Sequence, residues 1–163
     1  MTLSLVQHDT PLGPMTLVAS EAALIAALFD RQKHERAFPG AARQETPLLV
    51  QMRRELDAYF AGRLTRFTVP LAPRGTPFQQ QVWGLLLDIG FGETSTYGAL
   101  AVKLGQPSAS RAVGAAVGRN PIGVAVPCHR VVGASGALTG YAGGLDRKRA
   151  LLALEGQNRL FAA

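Results

Sequence analysis

Residues 63–75 separate two halves of the chain that differ in their hydrophobic pattern. Pro70, Pro73 and Gly75 lie in this stretch and disfavour regular structure, so we interpret it as a linker. Before it, short apolar runs alternate with turn residues, and after it apolar residues recur at helical spacing. We therefore predict an α/β chain of the α+β type. A supporting N-terminal subdomain with its linker spans residues 1–75, and a helical C-terminal subdomain spans 76–163.

The first half predicts a small antiparallel sheet followed by one helix. Three apolar runs, residues 3–8, 15–19 and 22–29, are joined by turn residues such as those at 9–14. The third run is rich in alanine, so a helix is an alternative there. Polar residues 30–45 are expected to form a loop. Thr46 and Pro47 then provide an N-cap and a first helical position, and Gly62 ends the predicted helix.

The second half predicts short helices that include a helix-turn-helix. Thr76 to Gln79 fits a capping box with proline at its start. Thr96 is positioned to cap a helix over residues 97–104, and a second short helix over 109–117 follows after Gly105. Arg111 is the only long side chain among small residues on that second helix, which can therefore approach another surface closely. A last helix is predicted over 146–155.

Composition and charge favour a globular protein with a polyanionic partner. The chain has 163 residues and a net charge of +6, of which residues 76–163 carry +4. No apolar run is long enough for a transmembrane helix, and the first residues do not resemble a signal peptide. The single cysteine excludes an intramolecular disulfide and suits a reducing compartment, so a cytoplasmic location is expected. No structural zinc spacing is present, and no metal site is predicted.

The chemistry is concentrated at Cys128 and His129. A thiol becomes a good nucleophile as a thiolate, and His129 is adjacent while Arg130 adds positive charge nearby. A carboxylate is expected to orient the imidazole. The acids available in the second half are Asp88, Glu93, Asp146 and Glu155. The alternative is that Cys128 is simply a small buried hydrophobic residue, which is the commoner fate of a free cysteine.

The residues around Cys128 favour the catalytic interpretation. The segment Pro-Cys-His-Arg-Val at 127–131, preceded by Asn-Pro at 120–121, resembles the active-site motif of the O6-alkylguanine-DNA alkyltransferases, also called methylated-DNA–protein-cysteine methyltransferases. Further matching stretches occur in the order and at the approximate spacing of that family, at 78–83, 92–97, 109–114, 135–136, 140–144 and 154–156. The N-terminal half resembles the family mainly in its strand pattern.

The resemblance implies a role for each matching residue. Cys128 would accept the alkyl group, His129 would take its proton through a water, Glu155 would hold His129, and Asn120 would stabilise the active-site turn. Tyr97, Tyr141 and Val131 would bind the flipped guanine. The residues implied to bind DNA are Thr96, Ser108, Arg111 and Ala112, with Arg111 filling the space that the base leaves.

The same resemblance implies a DNA-repair reaction that each molecule performs once. The alkyl group of an O6-alkylguanine in double-stranded DNA would move to Cys128, after the nucleotide has been flipped out through the minor groove. No metal or organic cofactor is needed. We expect a monomer in solution, with several copies binding along DNA as an alternative. Gly123 replaces a bulkier residue of many relatives, which predicts a roomier pocket, and Ala142 stands where some relatives have serine.

Two other functions remain open from the sequence. One is a DNA-binding module without enzymatic activity, but in alkyltransferase-like proteins of that kind the cysteine is replaced, whereas Cys128 is present here. The other is a cysteine hydrolase, which would need an oxyanion hole and would turn over repeatedly. Individually, Tyr97 and Tyr141 could be packing residues, and Glu155 and Arg111 could be ordinary surface charges.

Overall fold

The computed structural model describes residues 2–34 and 36–157. The chain forms two compact units, one comprising Met1–Arg74 with Pro121–Ala125 and the other Gly75–Asn120 with Val126–Ala163. The first unit contains β1 (Ser4–Thr10), β2 (Gly13–Ala19), β3 (Leu24–Phe29), β4 (Ala42–Arg43) and α1 (Pro47–Phe60). The second contains α2 (Pro77–Leu86), β5 (Ser95–Thr96), α3 (Tyr97–Lys103), α4 (Ser110–Gly118), β6 (Val131–Val132) and α5 (Leu145–Leu152).

The first unit contains a four-stranded sheet in the order β3-β2-β1-β4. The three predicted strands are confirmed, and β1–β2 and β2–β3 pair antiparallel. The alanine-rich run is a strand and not a helix. The prediction of an unbroken loop over residues 30–45 was wrong at β4, which pairs parallel with β1. Two residues with no apolar pattern give no sequence signal for a strand, and their pairing depends on the neighbouring β1 edge.

Strand β3 is buried along its whole length although it lies at the edge of the sheet. Its free side is covered by two isolated bridges, from Leu24 to Leu71 and from Ala27 to Ile122. The amide of Ala27 donates to the carbonyl of Pro121, and the amide of Gly123 donates to the carbonyl of Ala27. These bonds protect an edge that would otherwise be open. They also place Pro121–Ala125 in the first unit, a stretch that the predicted division assigned to the C-terminal half.

Helix α1 packs on β1 and β2 through a single apolar face. Thr46 is its N-cap, with the hydroxyl accepting from the amide of Leu49, and Pro47 occupies the first turn, both as predicted. The buried residues Leu49, Met52, Leu56 and Tyr59 recur at helical spacing. Gly62 follows the end of the helix with φ +77°, a conformation that favours glycine.

Helix α2 opens the second unit and carries much of its core. The capping box is confirmed, because Thr76 accepts from the amide of Gln79 and the Gln79 side chain accepts from the amide of Thr76. Val82, Trp83 and Leu86 are buried. The indole of Trp83 donates to the carbonyl of Ala116, so this helix is tied to α4. Phe78, in the first turn of this helix, is only partly buried.

Helices α3 and α4 form the predicted helix-turn-helix. The hydroxyl of Thr96 accepts from the amide of Ala99 at the start of α3, and Gly105 takes a positive φ just after its end. Helix α4 packs through Val113, Ala116 and Val117 and leaves its opposite face exposed. It begins one residue later than predicted and has no side-chain cap.

The predicted final helix over 146–155 is shorter than expected. Helix α5 ends at Leu152, and a wider turn of π geometry, Ala153–Gln157, follows it. Gly156 has φ +91° inside this turn. The change from α to π geometry moves Glu155 off the regular helical path, so its side-chain direction differs from the one that a continuous helix would give. Within the described residues, no helix is both long and apolar enough to cross a membrane.

Candidate active site

The cysteine lies at the start of a single 3₁₀ turn, Cys128–Arg130, just before β6. Pro127, with φ −82° and ψ 63°, forms an inverse γ-turn closed by the amide of Cys128 and the carbonyl of Val126, 2.8 Å apart. The side-chain amide of Asn120, which is buried, donates to the same carbonyl at 2.9 Å. Asn120 therefore fixes the backbone that presents the cysteine.

Cys128 is buried and sits in a mixed electrostatic environment. Burial raises the pKa of its thiol, and a hydrogen bond from Asn120, the charge of Lys148 and a hydrogen bond from Tyr141 oppose that rise. The raised pKa keeps the side chain protonated near neutral pH. A base is therefore needed if the sulfur is to act as a nucleophile.

His129 and Glu155 are in contact and both are fully buried. The His129 Nε2 atom lies 2.8 Å from Oε2 of Glu155. When Nε2 carries the proton and its N–H donates a hydrogen bond to the carboxylate, Nδ1 is left with a lone pair. His129 Nδ1 is also the buried side-chain atom without a hydrogen-bond partner among the described residues. Burial lowers the pKa of His129, while Glu155 raises it and the charges of Arg130 and Lys148 lower it further.

Arg130 does not act where the sequence suggested. Its positive charge was expected to act on Cys128, but its guanidinium binds both oxygens of Glu155, at 2.7 Å and 3.0 Å. A third bond, of 2.6 Å, goes to the carbonyl of Ile89. The planar guanidinium matches a carboxylate at two points. The cation whose charge lowers the pKa of Cys128 is Lys148.

Lys148 is the main residue of this site that the sequence did not reveal. It is fully buried in α5, and its ammonium donates to the carbonyls of Val131 and Thr139 at 2.6 Å and 3.2 Å. Burial lowers the pKa of Lys148 to about 8. Its charged neighbours Asp146, Arg147 and Arg149 are typical of a solvated face. The available signal was its spacing from Leu151 and Leu152, which places Lys148 on the apolar face of the helix.

The three predicted guanine-binding residues lie in the same unit as the cysteine. Val131 begins β6, which pairs parallel with β5, and its carbonyl accepts from Lys148. The Tyr97 hydroxyl lies 2.7 Å from that of Thr139. Tyr141 is partly buried, and its hydroxyl interacts with the thiol of Cys128. Both tyrosines therefore have polar partners and are not merely packed against apolar side chains.

The predicted DNA-binding residues are mostly accessible. Ser108, Arg111 and Ala112 are exposed at the start of α4, whose opposite face is buried. Thr96 differs from them, because it is partly buried and its hydroxyl caps α3. Across the described residues, no group of three histidine, cysteine or acidic side chains is arranged to hold a metal ion.

Comparison with known proteins gives matches along nearly the whole chain. The family model described as 6-O-methylguanine DNA methyltransferase, DNA binding domain, matches residues 77–157, and the ribonuclease-like domain of the same description matches 5–73. The methylated-DNA–protein-cysteine methyltransferase of Methanosarcina acetivorans is 49% identical, over 91% of this chain and 95% of its own length. The protein of that name from Mycobacterium bovis is 50% identical, over 90% and 88%.

Solved structures give the same result. The O6-methylguanine methyltransferase of Mycobacterium tuberculosis superposes with a TM-score of 0.87 at 47% identity, covering 97% of this chain and 94% of that one. A Mycobacterium tuberculosis OGT in complex with DNA superposes with a TM-score of 0.81 at 48% identity, covering 98% and 94%.

Proposed function

The chain belongs to the 6-O-methylguanine DNA methyltransferase family, and from that premise we propose that Cys128 is the residue that accepts the alkyl group. The protein is a DNA-repair enzyme that transfers an alkyl group from O6-alkylguanine in DNA to its own cysteine. The observation that carries the assignment is that the only cysteine in the chain directly precedes His129 in the same 3₁₀ turn, and that His129 forms a buried pair with Glu155.

The reaction is a displacement at the alkyl carbon. His129 accepts the thiol proton at Nδ1 through a water, and Glu155 holds the imidazole by its Nε2–H. The sulfur forms a bond to the alkyl carbon while the bond between that carbon and O6 breaks. The electron pair of the broken bond stays with the guanine, which takes up a proton from water as it leaves. The thioether that remains is stable, so each molecule reacts once.

The guanine is seated by Tyr97, Tyr141 and Val131. Lys148 fixes the Val131 carbonyl, and the contact between Tyr97 and Thr139 orients the tyrosine ring. Asn120 keeps the turn that carries Cys128 in shape. These contacts hold the nucleophile and the proposed base-binding groups in a fixed arrangement before substrate arrives.

DNA binding places the exposed face of α4 in the minor groove. A base within a duplex cannot reach a buried cysteine, so the nucleotide is flipped out of the helix. Arg111 occupies the space that the base leaves, and Ala112 allows close approach because its side chain is small. Ser108 and Thr96 contact the backbone. The substrate is double-stranded DNA containing O6-alkylguanine, and the protein is a monomer in solution.

We also propose that the protein is cytoplasmic. We further propose that the reaction needs no metal or organic cofactor. The single reactive cysteine supports that location, because a free thiol stays reduced there. The proposed chemistry supports a reaction without a cofactor, because the displacement needs only the thiol, the imidazole with its carboxylate, water and the alkylated base.

Mass spectrometry of the intact protein tests the assignment of Cys128. After incubation with a duplex containing one O6-methylguanine, we expect a gain of one methyl group per molecule, located on the peptide that holds Cys128. The Cys128→Ser variant should gain nothing and still bind the duplex. Methylation of that variant would overturn the assignment. Lesion binding by the natural protein without a mass gain would indicate a damage-recognition protein instead.

A further inference from the structure

Arg130 and His129 both hold Glu155, and Arg130 contacts both of its carboxylate oxygens. Oε1 accepts from Arg130 Nε, and Oε2 accepts from both Arg130 Nη2 and His129 Nε2. The Glu155 side chain is fully buried. A carboxylate without water around it requires a nearby cation. The charge of Glu155 is therefore balanced by Arg130, while His129 contributes a neutral hydrogen bond.

Arg130 is itself fixed from a second direction. Its Nη1 donates to the carbonyl of Ile89, just beyond the end of α2. It also belongs to the same 3₁₀ turn as Cys128 and His129. One guanidinium thus connects the end of α2, the cysteine turn and the π turn that carries Glu155. These contacts use three separate nitrogens of a planar guanidinium. Lysine could not make all of them, because its ammonium has a single nitrogen.

The charges around His129 determine whether its imidazole is neutral or protonated. The imidazole faces the negative charge of Glu155 and the positive charges of Arg130 and Lys148, with the Cys128 thiol as neighbour in the turn. Burial lowers the pKa of His129, and the charge of Arg130 lowers it further against the opposing effect of Glu155. Without Arg130, the buried carboxylate would attract a second proton onto the imidazole. An imidazolium has no lone pair at Nδ1 and cannot act as a base.

We propose that Arg130 is a positioning residue for alkyl transfer, which holds Glu155 in a charge-balanced two-point contact and so keeps His129 neutral and able to accept the cysteine proton. This inference rests on the proposed role of His129 as the base. It assigns Arg130 an effect on the pH range of the reaction, which a purely structural contact would not have.

The test is the pH dependence of the single-turnover rate with a duplex containing one O6-methylguanine. The natural protein should lose rate at acid pH, where His129 becomes protonated. In Arg130→Met this acid limb should move to higher pH by about one to three units, because a positive charge that disfavours protonation of the imidazole has been removed. Arg130→Lys keeps a charge, so its limb should stay close to that of the natural protein while its maximal rate falls. An unmoved limb in folded Arg130→Met would overturn the proposal.

A second comparison avoids an unpaired buried carboxylate, in case Arg130→Met does not fold. Arg130→Met/Glu155→Gln should have its acid limb at higher pH than Glu155→Gln alone, because only the guanidinium charge differs between them. Equal limbs in these two variants would contradict the proposal. Circular dichroism checks that each variant is folded.

A control separates this inference from the proposed function. His129→Asn should transfer slowly and show no acid limb. If His129→Asn reacts as fast as the natural protein, the base assignment is wrong and the role of Arg130 fails with it. If instead His129 behaves as the base and the Arg130 variants leave the limb in place, only the role of Arg130 is wrong.

Discussion

The buried ammonium of Lys148 is the most unusual charge in the site. Its hydrogen bonds go to backbone carbonyls, and its pKa is raised by Cys128 and lowered more strongly by burial, to about 8. The folded state therefore favours the neutral amine more than the unfolded state does. Between pH 8 and the ordinary pKa of 10.5, the unfolded chain binds more protons at this residue.

This difference predicts a rise in stability at alkaline pH. On a Cys128→Ser background, where the thiol neither titrates nor raises the Lys148 pKa, the free energy of unfolding should contain a contribution from Lys148 that increases from about pH 8 or below up to pH 10.5. Urea unfolding at several pH values measures it. The Cys128→Ser/Lys148→Met variant should lack this increase, and an identical pH profile in the two proteins would contradict the prediction.

The exposed Arg111 gives a second prediction at the scale of single residues. In Arg111→Ala, transfer from a methylated duplex should slow by about ten- to a hundredfold, since extruding a base costs a few kcal/mol and the empty space would stay unfilled. Reaction with free O6-methylguanine base should change little. Single-turnover rates with both substrates measure this. Arg119→Ala, an exposed arginine just beyond the end of α4, is the matched control. Equal losses with duplex and base would contradict insertion by Arg111.

At the scale of elements, a glycine within α2 and a glycine after the end of α1 have opposite effects on stability. Gly84 lies within α2, is exposed, and has nothing within 4 Å of where a Cβ would be. Gly62 also has open space around it but adopts φ +77° after the end of α1. In the first case glycine lowers helix stability, and in the second glycine adopts, at little cost, a left-handed conformation that other residues resist.

The same substitution should therefore have opposite effects at these positions. Gly84→Ala should raise the free energy of unfolding by about 0.5 to 1 kcal/mol. Gly62→Ala should lower it by about 1 to 2 kcal/mol. Urea denaturation measures both. Stabilisation by Gly62→Ala would mean that the positive φ is not maintained in solution.

At the scale of the whole molecule, charge is divided unevenly along the chain. Residues 76–163 carry a net charge of +4 and residues 1–75 carry +2. The more basic half contains the helix-turn-helix, so the contacts with DNA are expected to depend on the release of counterions from phosphates.

This predicts a marked dependence of DNA affinity on salt. For Cys128→Ser, which binds without reacting, the logarithm of the association constant should fall linearly with the logarithm of salt concentration. The expected slope is about −0.9 for each phosphate neutralised. Fluorescence anisotropy with a labelled duplex measures it. Affinity independent of salt would exclude phosphate contacts as the main source of binding.

The sequence by itself determined the helix and strand boundaries that depend on local chemistry. The N-caps at Thr46, Thr76 and Thr96 and the glycine that follows α1 act over a few residues, so their effects can be recognised from spacing. The motif around Cys128 determined the family in the same way. The apolar runs of β1 and β2, joined by turn residues, also required no knowledge of distant contacts.

Only the tertiary structure decided how distant groups share charge. Arg130 and Glu155 are 25 residues apart, and Lys148 is 17 residues from the carbonyl that it binds. The π turn that directs Glu155 and the bridges that cover β3 likewise depend on packing against remote segments. The stability of a buried charge is set by desolvation and by partners brought close in space, and neither is a property of the neighbouring sequence.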